Sequence, residues 1–282
     1  MKLFIRAHDL GVRGEDAVIE RLNELGLDGI QLVAYKVLPD VPYMPGAMTE
    51  RRAKQINAKL KAQSKSIPLI GAYFNPVHSD ACKVANSVAV FENYLAQAPN
   101  LGSSVVGSET GSYNDDKWTY HPSNRTDAAL NRVVETFSHL ADVAEQYGVN
   151  IGMEGAYGHV CYSVDRLAEA VAKIGKSNIK IIFDLYNYLS CDNVNDRYAI
   201  LEHGLETFKD KICVFHIKDC TIENGRLKQC GVGKGIFDYR LILSMIAKYL
   251  PDANLVFEGT VGEDIPFAVQ YIRSILGENN EV

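Results

Sequence analysis

Residues 211–220 read KICVFHIKDC and combine an apolar run with three polar side chains in close succession. The run 212–215 has the composition of a strand that is buried on both faces. His216, Lys218 and Asp219 follow directly, at the point where such a strand should end. A buried strand that ends in basic and acidic groups indicates a functional site if other strands of the chain end in the same way.

Seven further short apolar runs are spread along the chain, and we predict that each forms a parallel strand. The eight candidates are KLFIRAH (2–8), GIQLVAY (29–35), IPLIGAYF (67–74), SSVVGSE (103–109), NIGMEGA (150–156), IKIIFDLY (179–186), ICVFHIK (212–218) and ANLVFEG (253–259). Segments with helical periodicity separate them. Two of these helices are predicted from a capping residue to a glycine, from Ser163 to Gly175 and from Asp127 to Gly148.

This alternation predicts the fold class, an α/β protein of the (β/α)8 barrel type. Eight strands with their helices average about 35 residues per unit, which suits such a barrel. No linker or low-complexity tract divides the chain, so we predict one domain over residues 1–282. A doubly wound sheet is the alternative, but residues 7–16, AHDLGVRGED, lack the glycine-rich turn that usually follows its first strand.

Composition excludes several classes of protein. The chain has 282 residues, of which 47% are hydrophobic and 23% charged, as is ordinary for a soluble globular protein. Its net charge of -6 argues against a nucleic-acid partner. No run approaches the length of a membrane span, and the N-terminal stretch becomes charged again at Arg6, so we expect a cytoplasmic location. The six scattered cysteines form no C-x-x-C pair and are expected to be reduced thiols.

Four consecutive predicted strands end in a metal-ligand type of side chain: Glu154, Asp184, His216 and Glu258. Each alone could cap a helix or be a satisfied core residue, but the carboxyl ends of barrel strands share one mouth, so the four should lie together. Burying three carboxylates is costly unless a cation neutralises them. Three carboxylates with one imidazole suit one divalent metal; we favour Mn2+, with Mg2+, Co2+ or Zn2+ as alternatives.

The motifs GMEG, FDLYN, FHIKD, GVGKGIFDY and VFEG resemble the signature of the xylose isomerase-like TIM barrel superfamily, the sugar phosphate isomerase/epimerase group. The resemblance covers nearly the whole chain through strand order and spacing. It implies that Glu154, Asp184, His216 and Glu258 are the metal ligands. It also implies that Glu154 and Glu258 are catalytic, one removing a proton beside a carbonyl and the other returning a proton to the enediolate.

The expected activity is therefore that of a metal-dependent sugar or sugar phosphate isomerase or 3-epimerase with a small polyhydroxylated carbonyl substrate. A dehydratase of a keto-cyclitol is the alternative, and an abasic-site endonuclease-like hydrolase is a third. Asn187 stands where family members often have a histidine, which departs from the pattern of one subfamily. His78 and Glu109 could add ligands from the third and fourth strands, but the set stays short of what the endonucleases need.

Four further residues are candidates for substrate binding: His8, Glu109, Asn187 and Lys218. Lys218 could hold a substrate hydroxyl, carboxylate or phosphate, or could pair with Asp219 or another carboxylate of the mouth. For His8 and for Glu109, a structural role is the alternative to substrate binding.

Two aromatic residues, Tyr113 and Trp118, lie in the long connection after the fourth strand and could form a wall of the pocket or pack that connection. Barrels of this kind often assemble through helices and mouth loops, so a homodimer or a homotetramer is left open.

Overall fold

The computed structural model describes residues 1–277 and has helices arranged around a central barrel. The helices are α1 (Glu15–Leu25), α2 (Ala34–Val37), α3 (Glu50–Ala62), α4 (Ala81–Leu101), α5 (Asp127–Gln146), α6 (Val164–Ile174), α7 (Arg197–Phe208), α8 (Tyr239–Tyr249) and α9 (Asp264–Leu276). Within the described residues, no helix is long and apolar enough to cross a membrane. Residues 278–282, the end of the predicted domain, lie outside the described residues.

The strands are β1 (Lys2–Arg6), β2 (Gly29–Leu32), β3 (Ser66–Gly71), β4 (Val105–Glu109), β5 (Asn150–Glu154), β6 (Ile179–Asp184), β7 (Ile212–Ile217), β8 (Asp219–Glu223), β9 (Arg226–Cys230) and β10 (Asn254–Phe257). Eight of them close a parallel barrel in the order β1-β10-β7-β6-β5-β4-β3-β2. The predicted fold class, a single-domain (β/α)8 barrel, is confirmed.

The interior of the barrel is filled by a small apolar cluster: Phe4, Leu69, Val105, Ile182, Val214 and Val256. Successive side chains of a strand point to opposite faces, so a residue two positions further on points inward again. Two positions after Ile182, Val214 and Val256, the chain carries a polar residue on β6, on β7 and after β10. These three are Asp184, His216 and Glu258. The packed interior therefore lies directly below these mouth residues and supports them.

The predicted helix limits hold for α6 and need a correction for α5. Ser163 is the N-cap of α6 and accepts a hydrogen bond from the backbone N–H of Arg166, while Gly175 is its left-handed C-cap. For α5, Thr126 rather than Asp127 is the N-cap, and its side chain accepts from the backbone N–H of Ala129. Thr126 has the extended backbone that an N-cap requires, whereas Asp127 is already helical.

The antiparallel hairpin β8–β9 was not among the predicted strands. It is inserted between β7 and α8, and Asp219 pairs with Cys230 at its base. Its turn is Asn224-Gly225, and both residues have positive φ, 51° and 70°. Asn-Gly is the strongest short-range hairpin signal, so the sequence did contain the information. Gln229 Nε2 of the hairpin donates to the backbone oxygen of Glu258 at 3.2 Å, which ties the hairpin to the barrel mouth.

We expect Gly204→Ala to destabilise the barrel, because a Cβ at Gly204 of α7 would lie 2.1 Å from the ring of Phe183 on β6. Overpacking of this kind costs about 1–3 kcal/mol of unfolding free energy, which urea denaturation would measure. Glu202→Ala on the solvent side of the same helix is the control, with an expected change of at most about 0.5 kcal/mol. Equal stability of the two variants would contradict this packing of α7 on β6.

Candidate active site

The four predicted metal ligands converge at the mouth of the barrel. Glu154 and Asp184 are the last residues of β5 and β6, His216 lies in β7, and Glu258 directly follows β10. One ligand atom of each lies within 4.8 Å of the corresponding atoms of the other three. The first three residues are buried, and the side chain of Glu258 is 13% exposed. The structure thus brings together residues that are 30 to 104 positions apart in the chain.

The imidazole of His216 lies at the centre of this group. Its Nδ1 is 2.8 Å from Glu258 Oε2, 3.1 Å from Glu154 Oε1 and 3.8 Å from Asp184 Oδ2. Burial by itself lowers the pKa of His216, but the charges of Glu154 and Glu258 outweigh burial and raise that pKa to about 10. The carboxylates therefore favour a positive charge at Nδ1, which either a proton or a metal ion can supply.

The other nitrogen of His216 is held by residues from the opposite side of the barrel. The amide of Gln31 on β2 donates to Tyr73 Oη at 2.8 Å and thereby turns its carbonyl oxygen toward His216 Nε2, also at 2.8 Å. His216 Nε2–H therefore donates to Gln31, and Nδ1 is the atom that faces the carboxylates. Such a partner fixes the tautomer and the ring orientation of a metal-binding histidine.

Glu258 contacts three positively charged or basic groups. Arg6 Nη1 and Lys218 Nζ both lie 2.9 Å from its Oε1, and His216 lies at its Oε2. Burial would raise the pKa of Glu258, but Lys218, His216 and Arg6 together hold that pKa well below its ordinary value. Glu258 is therefore a carboxylate that stays ionised although it is largely buried.

The donor set fits a divalent ion. Asp184 Oδ2 lies 2.9 Å from Lys218 Nζ, yet within residues 1–277 it accepts no hydrogen bond of favourable angle. Burial raises the pKa of Asp184 to about 6, although the charge of Lys218 opposes this shift. A buried oxygen without a hydrogen bond, in a group of three carboxylates and one imidazole, matches the oxygen and nitrogen ligands of Mn2+, Mg2+ or Zn2+. The cluster could therefore hold a divalent metal.

Asn187 positions two of these carboxylates. Its Nδ2 donates to Glu154 Oε1 at 2.8 Å, and its backbone N–H donates to Asp184 Oδ1 at 3.1 Å. An amide donates to a carboxylate without adding a charge. Asn187 therefore orients both Glu154 and Asp184.

A cavity of about 330 Å3 opens above the cluster. Its lining residues are Arg6, His8, Val33, Tyr35, Lys36, Tyr73, Glu109, Trp118, Glu154 and Glu258. Of the predicted substrate-binding residues, His8 and Glu109 border this cavity. Asn187 and Lys218 are not in its lining and lie against the carboxylates instead. Trp118 forms part of the wall, whereas the ring of Tyr113 packs under Arg132 at 5.5 Å.

The two residues that could have extended the ligand set do not belong to the cluster within residues 1–277. Glu109 is the register partner of Glu154 on the neighbouring strand. Burial, followed by the charges of Glu154 and Glu258, raises the pKa of Glu109 well above its usual range. His78 Nε2 lies 3.2 Å from Asp116 Oδ1. The observed cluster is therefore the quartet alone.

Asp219 organises the loop after the hairpin and does not pair with Lys218. Its carboxylate accepts four backbone N–H groups, from Cys220, Gly233, Gly235 and Phe237, at 2.8–3.2 Å. The segment 231–239, GVGKGIFDY, therefore wraps around one buried carboxylate. Lys218 pairs with Asp184 and Glu258 instead, which is the second of the two roles considered for it.

Six further residues contact the quartet or border the cavity and were not predicted: Arg6, Gln31, Val33, Tyr35, Lys36 and Tyr73. Arg6 is the last residue of β1 and Gln31 is the single polar side chain of β2. The rule that revealed the quartet, a polar residue at the end of an apolar strand, would have found Arg6. It would not have found Gln31, because Leu32 follows Gln31 within β2. Tyr73 and Lys36 lie beyond their strands, and nothing in the local pattern distinguishes them.

Comparison with known proteins places the chain in a family. The family model described as xylose isomerase-like TIM barrel matches residues 19–274. This range contains the whole quartet and nearly all of the barrel. The chain belongs to the xylose isomerase-like TIM barrel family.

The proteins to which this chain is similar differ in what their names describe. The probable L-ribulose-5-phosphate 3-epimerase of Mycoplasma pneumoniae is 24% identical over 176 residues, 62% of this chain and 52% of that protein. The chain thus matches about half the length of this curated relative. A D-tagatose 3-epimerase-like protein has a TM-score of 0.77 at 19% identity, covering 100% of this chain and 99% of the other. Endonuclease IV from Thermus thermophilus has a TM-score of 0.72 at 18% identity, covering 99% of this chain and 100% of the other. At these identities the structural likeness shows the fold alone.

We expect Gln31→Leu to weaken metal binding about 10–100-fold, because His216 Nε2 would lose the acceptor that orients the ring. Calorimetric titration of Mn2+ into chelator-treated protein would measure the affinity. Gln55→Leu on the exposed side of α3 is the matched control and should bind like the wild type. Wild-type affinity in the Gln31 variant would show that the second nitrogen of His216 needs no partner.

Proposed function

We propose that the protein is a divalent-metal-dependent sugar or sugar phosphate epimerase or isomerase that transfers protons through an enediolate. One observation carries the proposal: of the four cluster residues, the two glutamates border the cavity, while Asp184 and His216 lie outside its lining. Glu154 and Glu258 come from strands separated by β6 and β7. Two carboxylates that reach one cavity from separate strands suit removal of a proton on one side of a substrate and its return on the other.

The two glutamates have different surroundings, which supports different roles. Glu258 is held ionised by Arg6 and Lys218 and is competent to accept a proton. Besides His216, Glu154 is approached by neutral donors, the amide of Asn187 at 2.8 Å and the hydroxyl of Tyr73 at 3.4 Å. Unequal environments let two neighbouring carboxyl groups occupy opposite protonation states. We assign the removal of the proton beside the carbonyl to Glu258 and the return of a proton to Glu154.

We propose Mn2+ as the bound ion, one per chain, held by Glu154, Asp184, His216 and Glu258. When bound, such an ion polarises the substrate carbonyl and stabilises the negative charge that develops on its oxygen. The carboxylates are then positioned for the proton transfers by the chain itself, through Asn187 and the ion pairs of Lys218.

We propose that His8 and Glu109 contact substrate hydroxyls, because both border the cavity beside the glutamates. Burial and then Arg6 lower the pKa of His8 to about 4, so its imidazole is neutral near pH 7 and suits a hydroxyl. Lys218 and Asn187 lie against the carboxylates outside the cavity lining and act as positioning residues for them. Direct contact of these two residues with the substrate stays a prediction. The cytoplasmic location, the homo-oligomeric state and the absence of a nucleic-acid partner also stay predictions.

The test is turnover of a ketose panel in D2O by Mn2+-loaded protein, followed by NMR. A 3-epimerase introduces deuterium at C3 and inverts that carbon, whereas an aldose–ketose isomerase introduces it at C1 or C2. The keto-cyclitol dehydratase would release a product lighter by one water. Cleavage of abasic-site DNA without any exchange into sugars would replace the proposal by the hydrolase alternative.

We expect Glu154→Gln and Glu258→Gln each to lower kcat at least about 100-fold, since each amide removes a proton-transfer group. Metal content, measured beside turnover, separates loss of proton transfer from loss of the ion, and His216→Ala should lose the metal. Glu20→Gln, an exposed carboxylate of α1, is the matched control. Full exchange activity in both glutamate variants would overturn the assignment.

A further inference from the structure

The mouth of the barrel contains a second compartment beside the proposed catalytic cavity. It measures about 350 Å3, against about 330 Å3 for the inner cavity, and three aromatic residues line both: Tyr35, Tyr73 and Trp118. We infer that this outer compartment binds a second sugar ring, so that the substrate is a ketose carrying a glycosyl group. The inference rests on the proposed function for the chemistry of the inner cavity. Each compartment has the size of a small-ligand pocket, about 300–1,000 Å3.

The outer compartment has the aromatic walls that a sugar ring requires. Tyr43 and Phe74 belong to it alone, in addition to the three shared aromatic residues. The ring of Tyr43 meets that of Tyr35 edge to face, with centroids 5.0 Å apart and planes at 70°. Rings in this arrangement present large apolar surfaces at fixed angles. The C–H face of a pyranose matches such a surface.

The charged and polar side chains of the outer compartment are paired with one another. Lys83 Nζ lies 2.9 Å from Asp116 Oδ2, and His78 Nε2 lies 3.2 Å from Asp116 Oδ1. The backbone N–H of Asp80 donates to His78 Nδ1, so Nε2 carries the proton that points to Asp116. The positive charge of Lys83 is thus matched by one carboxylate, which favours a neutral ligand with many hydroxyl groups over a phosphate.

The residue between the compartments is held in an unusual backbone conformation. Trp118 has φ 53° and ψ 33°, a left-handed conformation that is costly for a bulky side chain. Its carbonyl oxygen accepts from His159 Nε2 at 3.2 Å, and its ring meets that of His159 edge to face at 5.6 Å. Contacts from the loop after β5 therefore keep the indole at the junction, where it can contact the reacting sugar and the attached ring together.

A phosphorylated monosaccharide is the main competing substrate, because Lys36 borders the inner cavity and has no ion-pair partner within residues 1–277. The experiment must therefore compare a glycosyl ketose with both a free ketose and a ketose phosphate. Palatinose and maltulose, two glucosyl-fructoses with a free C3 hydroxyl, serve as the first class. D-Fructose and D-ribulose 5-phosphate serve as the second and the third.

With the full-length, Mn2+-loaded protein, we expect kcat/KM for a glucosyl-fructose to exceed that for D-fructose at least about tenfold. Tyr43→Ala should reduce kcat/KM for the disaccharide about tenfold more than for the monosaccharide. Tyr147→Ala, an exposed tyrosine after α5 with 43% exposure, is the matched control and should change neither. Lys83→Gln provides a second variant of the compartment, on an exposed side chain, and should also lower the preference. Equal efficiency on both sugars, or a clear preference for the phosphate, would overturn the inference.

A binding measurement separates failure of this inference from failure of the proposed function. Maltitol and sorbitol lack the carbonyl group and cannot react, so their affinities can be measured whether or not any ketose is turned over. Tighter binding of maltitol than sorbitol, reduced in Tyr43→Ala, would support the outer compartment even if no proton exchange is found. Equal binding of the two alditols would contradict a sugar-binding role of the outer compartment. It would not affect the proposed proton-transfer chemistry.

Discussion

Three buried carboxylates at the barrel mouth are the constraint that the surrounding structure has to satisfy. Removing one partner from a buried ion pair costs about 3–5 kcal/mol, because the remaining charge is left uncompensated. Here the compensation comes from His216, Lys218 and Arg6, which lie within 2.8–3.1 Å of carboxylate oxygens. A metal ion would serve the same electrostatic need at the same place. Loss of any one of these charged groups would therefore leave a buried charge at the site without compensation.

The barrel supplies that set from both of its halves. The quartet comes from β5, β6, β7 and the end of β10, whereas Arg6, Gln31 and Tyr73 come from the first three strands and the residues that follow them. Closure of the sheet between β1 and β10 is what brings Arg6 to Glu258. The packed interior layer beneath fixes the direction of each inward side chain, because the strand alternates strictly. An open sheet would thus lose both the charge of Arg6 beside Glu258 and the fixed direction of the mouth side chains.

The family likeness does not decide which substrate the protein acts on. The same fold occurs in a D-tagatose 3-epimerase-like protein and in endonuclease IV, so the barrel alone does not decide between sugar and nucleic acid. The proposal of a sugar substrate rests on the arrangement around the quartet: two glutamates at one cavity, a neutral amide at Asn187, and a wall that contains Trp118. The hairpin β8–β9 and the loop bound by Asp219 then cover the side of the mouth beside Glu258.

The sequence by itself determined the eight barrel strands, their order and the four residues of the quartet, because apolar periodicity and strand ends are local signals. It also contained the Asn-Gly turn and the polar end of β1 at Arg6, which the same kind of reading would have revealed. Only the tertiary structure decided that Lys218 pairs with Asp184 and Glu258 rather than Asp219, and that Gln31 faces His216 across 185 positions. Those partnerships depend on distances across a closed barrel, which no local pattern encodes. The division of the mouth by Tyr35, Tyr73 and Trp118 has the same origin, since the segments that follow β2, β3 and β4 meet there.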